Sequence, residues 1–116
     1  MSELLKSLQE FQQEVNTNEN VHKLIKNWNP NFIIESSDTG EFYTLEVYDM
    51  RIKNILEGEV NSDHEIRIEG DDEILTAIFT GDLNPAEAVL NGELMVYGDQ
   101  NDQLKLDAIS LVIWGM

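Results

Sequence analysis

The stretch between residues 70 and 99 constrains the fold more than any other part of the chain. It reads GDDEILTAIFTGDLNPAEAVLNGELMVYGD and leaves almost no residues for a long loop. The spacing of its apolar residues predicts two short helices followed by a strand, separated by glycine or Asn-Gly. Because these elements are short and no long loop separates them, the sequence indicates apolar helices that pack on a sheet. There is room for a cavity between the helices and the sheet.

The first of these helices is predicted to begin at Asp71 or Asp72, where a carboxylate can accept hydrogen bonds from free backbone N–H groups. Gly81 follows its last apolar residue, at the position where many helices end in the left-handed conformation. Four apolar residues share one predicted face of this helix, and they are Ile74, Leu75, Ile78 and Phe79.

The second helix has a clear start at Asn84-Pro85. Asn84 is the predicted N-cap, and Pro85 fits the first helical position because its missing N–H is not needed there. Glu87 completes a variant of the capping box. The strand at residues 93–97 follows Asn91-Gly92. The predicted apolar side of the second helix consists of Ala86, Val89 and Leu90.

The first thirty residues are predicted to be helical. Ser2 caps a helix with one apolar stripe, and the polar run at residues 16–20 interrupts it. A second short helix follows and is ended by Pro30, which cannot extend the hydrogen-bond ladder. The apolar stripe of the first helix consists of Leu4, Leu5, Leu8, Phe11 and Val15, and that of the second of Val21, Leu24, Ile25 and Trp28.

From residue 32 onward the apolar period changes from about 3.6 to 2, which indicates strands. Strands are predicted at 32–35, 41–48, 51–57 and 64–69, and a bulge is predicted in 51–57 because Ile52 and Ile55 cannot otherwise share a face. The short links between them predict an antiparallel meander, which the strand at 93–97 joins after the helices.

The fold class is therefore α+β, with a single antiparallel (mixed-order) sheet of about five strands and helices packed on one face. Residues 1–116 are expected to form one domain, in which 1–30 are the N-terminal helical part and 31–116 the sheet plus helices. A C-terminal helix is predicted over residues 102–109. The apolar run at 111–114 could extend this helix, add a strand or cover the mouth of a cavity.

The charge balance excludes several classes of function. The chain has 23 acidic and 7 basic residues, a formal charge of −16. Nucleic acid and anionic membranes are not expected as partners because both require clustered Lys and Arg. No apolar run approaches the roughly 18 residues of a membrane span, and the charged N-terminal sequence does not resemble a signal peptide, so a cytoplasmic protein is expected. Solubility explains the charge; a basic protein partner is the alternative.

The sequence has no pattern typical of a catalytic or metal centre. There is no cysteine, and His22 and His64 lie in different predicted elements. Asp99, Asn101 and Gln103 have the spacing that begins a calcium loop, but neither the glycine nor the glutamate that such a loop needs follows. We therefore expect no catalytic residue, no metal and no cofactor, and a protein that is not an enzyme.

The segment at residues 79–99, FTGDLNPAEAVLNGELMVYGD, resembles the signature of the sterol carrier protein 2 (SCP2) family, in which TG-x-LNP-x-x-A-x-x-x-G-x-L-x-x-x-GD joins two helices to the last strand. Together with the order of the preceding strands, the resemblance extends over residues 31–109. The matching positions are Thr80, Gly81, Leu83, Asn84, Pro85, Ala88, Gly92, Leu94, Gly98 and Asp99.

The resemblance implies a small SCP2-like lipid-binding protein, in which helices and sheet enclose a hydrophobic cavity for a fatty acid or another apolar molecule. Each buried methylene contributes about 0.8 kcal/mol, so an acyl chain is a credible ligand. By position we expect Trp114 near the mouth of the cavity. The expected lining is Leu75, Ile78, Phe79, Leu83, Val89, Leu90, Met95, Leu104 and Ile109.

Two alternatives stay open at this point. The same apolar residues could fill an ordinary closed core, and the chain would then be a non-catalytic interaction protein that uses residues 111–114 to form a homodimer. It could also be an accessory module that partners an enzyme, since modules of this family occur fused to acetyltransferases and sulfatases.

Overall fold

The computed structural model describes residues 2–115, over which five helices and five strands follow one another. The chain begins with α1 (Glu3–Thr17) and α2 (Glu19–Leu24). Four strands follow, β1 (Asn31–Ser36), β2 (Phe42–Tyr48), β3 (Arg51–Glu57) and β4 (Glu65–Gly70). The remaining elements are α3 (Asp72–Thr80), α4 (Pro85–Leu90), β5 (Leu94–Tyr97) and α5 (Gln100–Trp114).

The five strands form one sheet in the order β3-β2-β1-β4-β5. Neighbouring strands are antiparallel except β1 and β4, which pair in parallel, with Phe32 opposite Ile66 and Ile34 opposite Ile68. The predicted α+β class with a single five-strand sheet is confirmed, and the parallel pair is the departure from the antiparallel sheet that the sequence predicted. The predicted four-strand meander is wrong, because only β1, β2 and β3 form one and β4 returns to the centre of the sheet.

The link between β3 and β4 explains this difference. It crosses the face of the sheet opposite the helices, where Thr44 Oγ1 donates to the carbonyl of Gly58 at 2.8 Å and accepts from the N–H of Val60 at 2.9 Å. Asn31 Nδ2 donates to the carbonyl of Val60 at 3.0 Å. These side chains hold the link against the sheet and bury Thr44 and Ile33 beneath it.

The hairpin between β2 and β3 contains the predicted turn and bulge. Asp49 and Met50 both have positive φ, 52° and 62°, as a two-residue turn matched to the twist of the strands requires. The pairing register shifts between Glu46 and Val47. This shift places both Ile52 and Ile55 on the helix-covered face, which resolves the conflict in the sequence pattern.

The helices cover the other face of the sheet and share one apolar core with it. In α1 the buried apolar residues are those of the predicted stripe except Leu5, which is half-buried. Ser2 caps this helix, as predicted, by accepting from the N–H of Leu5 at 3.0 Å. Among residues 2–115, no helix is both long enough and apolar enough to cross a membrane.

The start of α3 differs from the prediction in how its backbone N–H groups are satisfied. Asp71 is the N-cap residue but makes no capping hydrogen bond with its side chain. Its carboxylate accepts instead from Ser37 Oγ at 3.0 Å, and Asp38 accepts from the N–H of Asp72 at 2.8 Å. That bond from the backbone of Asp72 is the main reason why the pKa of Asp38 is lowered.

The apolar side predicted for α4 is also wrong. The helix buries Pro85 and Ala88, whereas Ala86 is exposed, Val89 is 43% exposed and Leu90 is 86% exposed. A helix of six residues has fewer than two turns, so its apolar pattern does not fix which side faces the core. The small Ala88 side chain and the Pro85 ring allow α4 to approach the rest of the protein closely.

Candidate functional site

A groove with mostly apolar walls lies between α4, β5 and α5. Its volume is about 140 Å³, and Leu106 at its base is buried and belongs to the main core. The groove therefore runs from the surface to the apolar interior. Its lining consists of Pro85, Ala86, Val89, Val96, Gln103, Leu106 and Asp107.

The α4 wall is fixed at both ends by local sequence. Asn84 accepts from the N–H of Glu87 at 3.0 Å, and Pro85 occupies the first turn. After the helix, Gly92 has a φ of 75°, and the N–H of Glu93 donates to the carbonyl of Ala88 at 2.9 Å. This tight return leads the chain directly into β5 and leaves Val89 on the groove.

The first turn of α5 is capped by residues that the sequence had shown with calcium-loop spacing. Asp99 accepts from the N–H of Asn101 at 3.0 Å, and Gln103 Nε2 donates to the carbonyl of Gly98 at 3.0 Å. In this structure they start the helix. No group of three or more His, Asp or Glu side chains arranged to hold a metal ion is found among residues 2–115.

A buried polar cluster, which we call the Asp102 cluster, attaches the first half of α5 to the rest of the fold. Asp102 Oδ1 accepts from the indole N–H of Trp28 at 2.7 Å, and Asp102 Oδ2 lies 2.8 Å from His64 Nε2. One turn later, Lys105 Nζ donates to the carbonyl of Leu24 at 3.0 Å. The first half of α5 is therefore held by hydrogen bonds to the segments before β1 and β4.

Removal of the Asp102 carboxylate should destabilise the protein. We expect Asp102→Ala to lower the free energy of unfolding by about 2 kcal/mol, since the buried Trp28 N–H loses its acceptor. Asp102→Asn keeps a side-chain oxygen there and should cost less than about 1 kcal/mol. Urea denaturation measures both.

Asp63→Ala is the control, because Asp63 is also acidic but exposed. It should change the stability by no more than about 0.5 kcal/mol. An Asp102→Ala protein as stable as this control would show that the cluster does not hold α5.

Among the described residues that line the groove, Asp107 is the only ionisable one. It is half-buried, and this burial raises the pKa of its carboxyl group. In the part of the chain that the structure describes, Asp107 forms no ion pair. The wall that α5 contributes therefore has an acid near its edge without a compensating cation.

The second half of α5 lies against the core. Ser110 is only 2% exposed, and its Oγ has no hydrogen-bond partner within residues 2–115. Its spacing from Leu106 and Asp107 places it on the same side of the helix as the groove, one turn further on. Trp114 stacks on Phe11 at a ring distance of 5.8 Å, and Phe11 meets the edge of Phe79 at 5.1 Å.

The structure distributes the ten residues expected to surround a ligand over three environments. Only Val89 of this set lines the groove. Their contact with a ligand stays a prediction. Leu75, Ile78, Phe79 and Ile109 are buried in the core; Leu83 and Trp114 are half-buried; and Val89, Leu90, Met95 and Leu104 are exposed.

The sequence analysis expected Leu104 and Ile109 of the C-terminal helix to line the site, but it missed the α5 residues that line the groove, Gln103, Leu106 and Asp107, and it missed the Asp102 cluster. One signal for the cluster was present, because Asp102 precedes Leu106 and Ile109 by four and seven residues and so shares their apolar face. A carboxylate at such a position needs a buried partner. Its partners Trp28 and His64 are 74 and 38 residues away, and local spacing contains no information about them.

Comparison with known proteins gives one family and several similar structures. The model of the SCP-2 sterol transfer family matches residues 8–110. No protein with a curated description matches the chain.

Among solved structures, the sterol carrier protein domain 2 of Helicoverpa armigera is 17% identical, with a TM-score of 0.72 over 98% of this chain and 90% of that one. Sterol carrier protein 2 like 2 of Aedes aegypti is 15% identical, with a TM-score of 0.67 over 91% and 94%. The sec-alkylsulfatase Pisa1 of Pseudomonas sp. is 14% identical, with a TM-score of 0.63 over 79% of this chain. The chain spans 14% of that sulfatase. These structures share the fold.

Proposed function

Because the chain belongs to the SCP-2 sterol transfer family, we propose that it is a non-catalytic protein that carries or sequesters a fatty-acyl chain or another apolar ligand. The observation that carries this proposal is the apolar groove between α4, β5 and α5, which leads from the surface to Leu106 in the core. A cytoplasmic location and a single domain over residues 1–116 stay predictions.

The groove is smaller than the ligand that we propose. Its 140 Å³ corresponds to about five water molecules, whereas pockets for small molecules usually have about 300–1,000 Å³. An acyl chain would therefore enter the core only when α4 and the second half of α5 move apart. The acyl chain would then pass between Val89 and Leu106, and inside the core it would contact Ile109 and Phe79.

The distribution of hydrogen bonds supports a movement of this part of α5. The side chains that anchor the helix are Asp99, which is its N-cap, and Asp102 and Lys105 in its first half. Beyond Lys105, no described side chain of α5 donates or accepts a hydrogen bond, and Ser110 Oγ is buried without one. Among the described residues, displacement of the second half would break apolar contacts such as the stacking of Trp114 on Phe11, and the methylenes of an acyl chain can replace these.

A pair of neighbouring substitutions tests the groove. Val89→Asp places a charge on the groove wall and should weaken the binding of a fluorescent fatty-acyl probe by about tenfold or more. Leu90→Asp is the matched control, because Leu90 is the next residue of α4 and lies outside the groove. It should bind the probe within about twofold of the parent protein.

Fluorescence titration measures these affinities, and native mass spectrometry after gentle purification identifies any ligand that the protein retains. A parent protein that binds no apolar probe would contradict the proposed function. Equal weakening by both substitutions would contradict the assignment of the groove.

A second candidate function is that of an interaction or accessory module with a closed core, as a homodimer or with a basic protein or an enzyme. The exposed side of α5 supports it, since Leu104 and Leu111 are 57% and 58% exposed and Val112 also reaches the surface. The similarity to a short part of the Pisa1 chain also agrees with this role. A monomer in light scattering at high protein concentration would argue against the homodimer.

A further inference from the structure

We infer that the groove between α4, β5 and α5 selects amphiphiles with a neutral or cationic polar head and discriminates against lipids with an ionised carboxylate. This inference rests on the proposed function and narrows its ligand class. It is carried by the charges around the groove and by the polar groups on the α5 wall.

The chain provides almost no positive charge in this region. From residue 70 to the C-terminus the only basic residue is Lys105, although the chain has seven in all. Lys105 Nζ is engaged by the carbonyl of Leu24 at 3.0 Å and lies 5.9 Å from the centre of the Trp28 ring. It is not among the residues that line the groove.

Negative charge is abundant in the same elements. Asp107 lines the groove. Glu87 on α4 and Glu93, which directly precedes β5, are both exposed. An ionised carboxylate at the mouth would lose part of its hydration and would meet Asp107 without a cation to compensate. Like charges at close range repel more strongly in a partly buried site than in water.

The polar groups on this wall match a head that can donate a hydrogen bond. Gln103 and Asp107 both line the groove and are one turn apart on α5. A hydroxyl or ammonium head could donate a hydrogen bond to the Asp107 carboxylate, whose burial is otherwise uncompensated, whereas an ionised carboxylate head has no hydrogen to donate.

Competition between ligands with equal chains tests this inference. Dodecanol, dodecylamine and dodecanoate, each below its micellar concentration, are titrated against the complex of the protein with the neutral dye Nile red. We expect dodecanol and dodecylamine to displace the dye at least about tenfold more effectively than dodecanoate near neutral pH.

Substitution of Asp107 should change the order of effectiveness with which the three compounds displace the dye. Asp107→Asn removes the charge at nearly constant size, and it should improve displacement by dodecanoate by about fivefold while leaving dodecanol unchanged. Asp107→Lys should favour dodecanoate over dodecylamine. Glu87→Gln is the matched control, because it removes one carboxylate from α4 outside the groove lining, and it should preserve the order of the parent protein.

The outcomes separate this inference from the function on which it rests. Equal displacement by dodecanol and dodecanoate would overturn the inference and leave the lipid carrier intact. An unchanged order in Asp107→Asn, in a protein whose thermal unfolding matches the parent, would also overturn it. If none of the three compounds displaces the dye and the dye itself does not bind, both the proposed function and the inference fail.

Discussion

Phe79→Ala is expected to lower the free energy of unfolding by about 3–5 kcal/mol. Phe79 is almost completely buried in α3, and its ring meets the ring of Phe11 edge to face at 5.1 Å. Removal of the ring loses its transfer free energy and leaves a void that the surrounding aromatic rings fill only in part. The change is measured from urea denaturation followed by circular dichroism.

Tyr97→Ala is a suitable control for Phe79→Ala. Tyr97 is also aromatic, but it lies on the edge strand β5 and about half of its surface is exposed. Its truncation should cost about 1 kcal/mol or less. A similar loss in both variants would contradict the central position of Phe79 in the core.

An apolar probe should stabilise Phe79→Ala more than the parent, because a dry apolar void binds apolar molecules.

Gly81→Ala is expected to lower the free energy of unfolding by about 3 kcal/mol through backbone strain and overpacking. Gly81 ends α3 with a φ of 84°, in the left-handed region that side chains with a Cβ disfavour. An added Cβ would also lie 2.5 Å from Cδ1 and Cγ of Trp114. The indole would have to move, and the end of α5 would move with it.

Gly92→Ala separates the two causes. Gly92 has a φ of 75°, and an added Cβ there would meet nothing within 4 Å. Its substitution should therefore lower the free energy of unfolding only through backbone strain, by about 1 kcal/mol. The double variant Gly81→Ala/Trp114→Ala should be more stable than the sum of the two single changes predicts. Equal thermal stability of the two glycine variants would contradict the close contact between α3 and Trp114.

Local sequence was sufficient to predict the elements whose ends depend on neighbouring residues. The Asn84-Pro85 start of α4 and the left-handed Gly81 are as predicted, because each follows from the backbone preference of one or two residues. The α+β class followed from the change of period near residue 31. Local sequence did not predict which side of α4 is exposed, because the packing of α4 depends on the shapes of β5 and α5.

The parallel pairing of β1 with β4 in the middle of the sheet could not be predicted from local sequence. A link from residue 58 to residue 64 is short enough for a hairpin, and only contacts between distant residues direct it across the sheet instead. Those contacts are hydrogen bonds of Thr44 and Asn31 to the link, together with ion pairs from Arg67 to Glu35 at 2.9 Å and to Glu59 at 2.6 Å. In the candidate site, Asp102 and Asp107 were likewise missed because their roles depend on tertiary burial.

The parallel pairing of β1 with β4 has a consequence for synthesis on the ribosome. Among the strands, β1, β2 and β3 leave the ribosome first and can pair as a meander, but one edge of β1 has no neighbour until β4 arrives. That edge contains Phe32, Ile33 and Ile34, an apolar strand edge of the kind that recruits other chains. The nascent protein is therefore most prone to aggregation between the emergence of β3 and that of β4, and the small number of residues between these strands limits this interval.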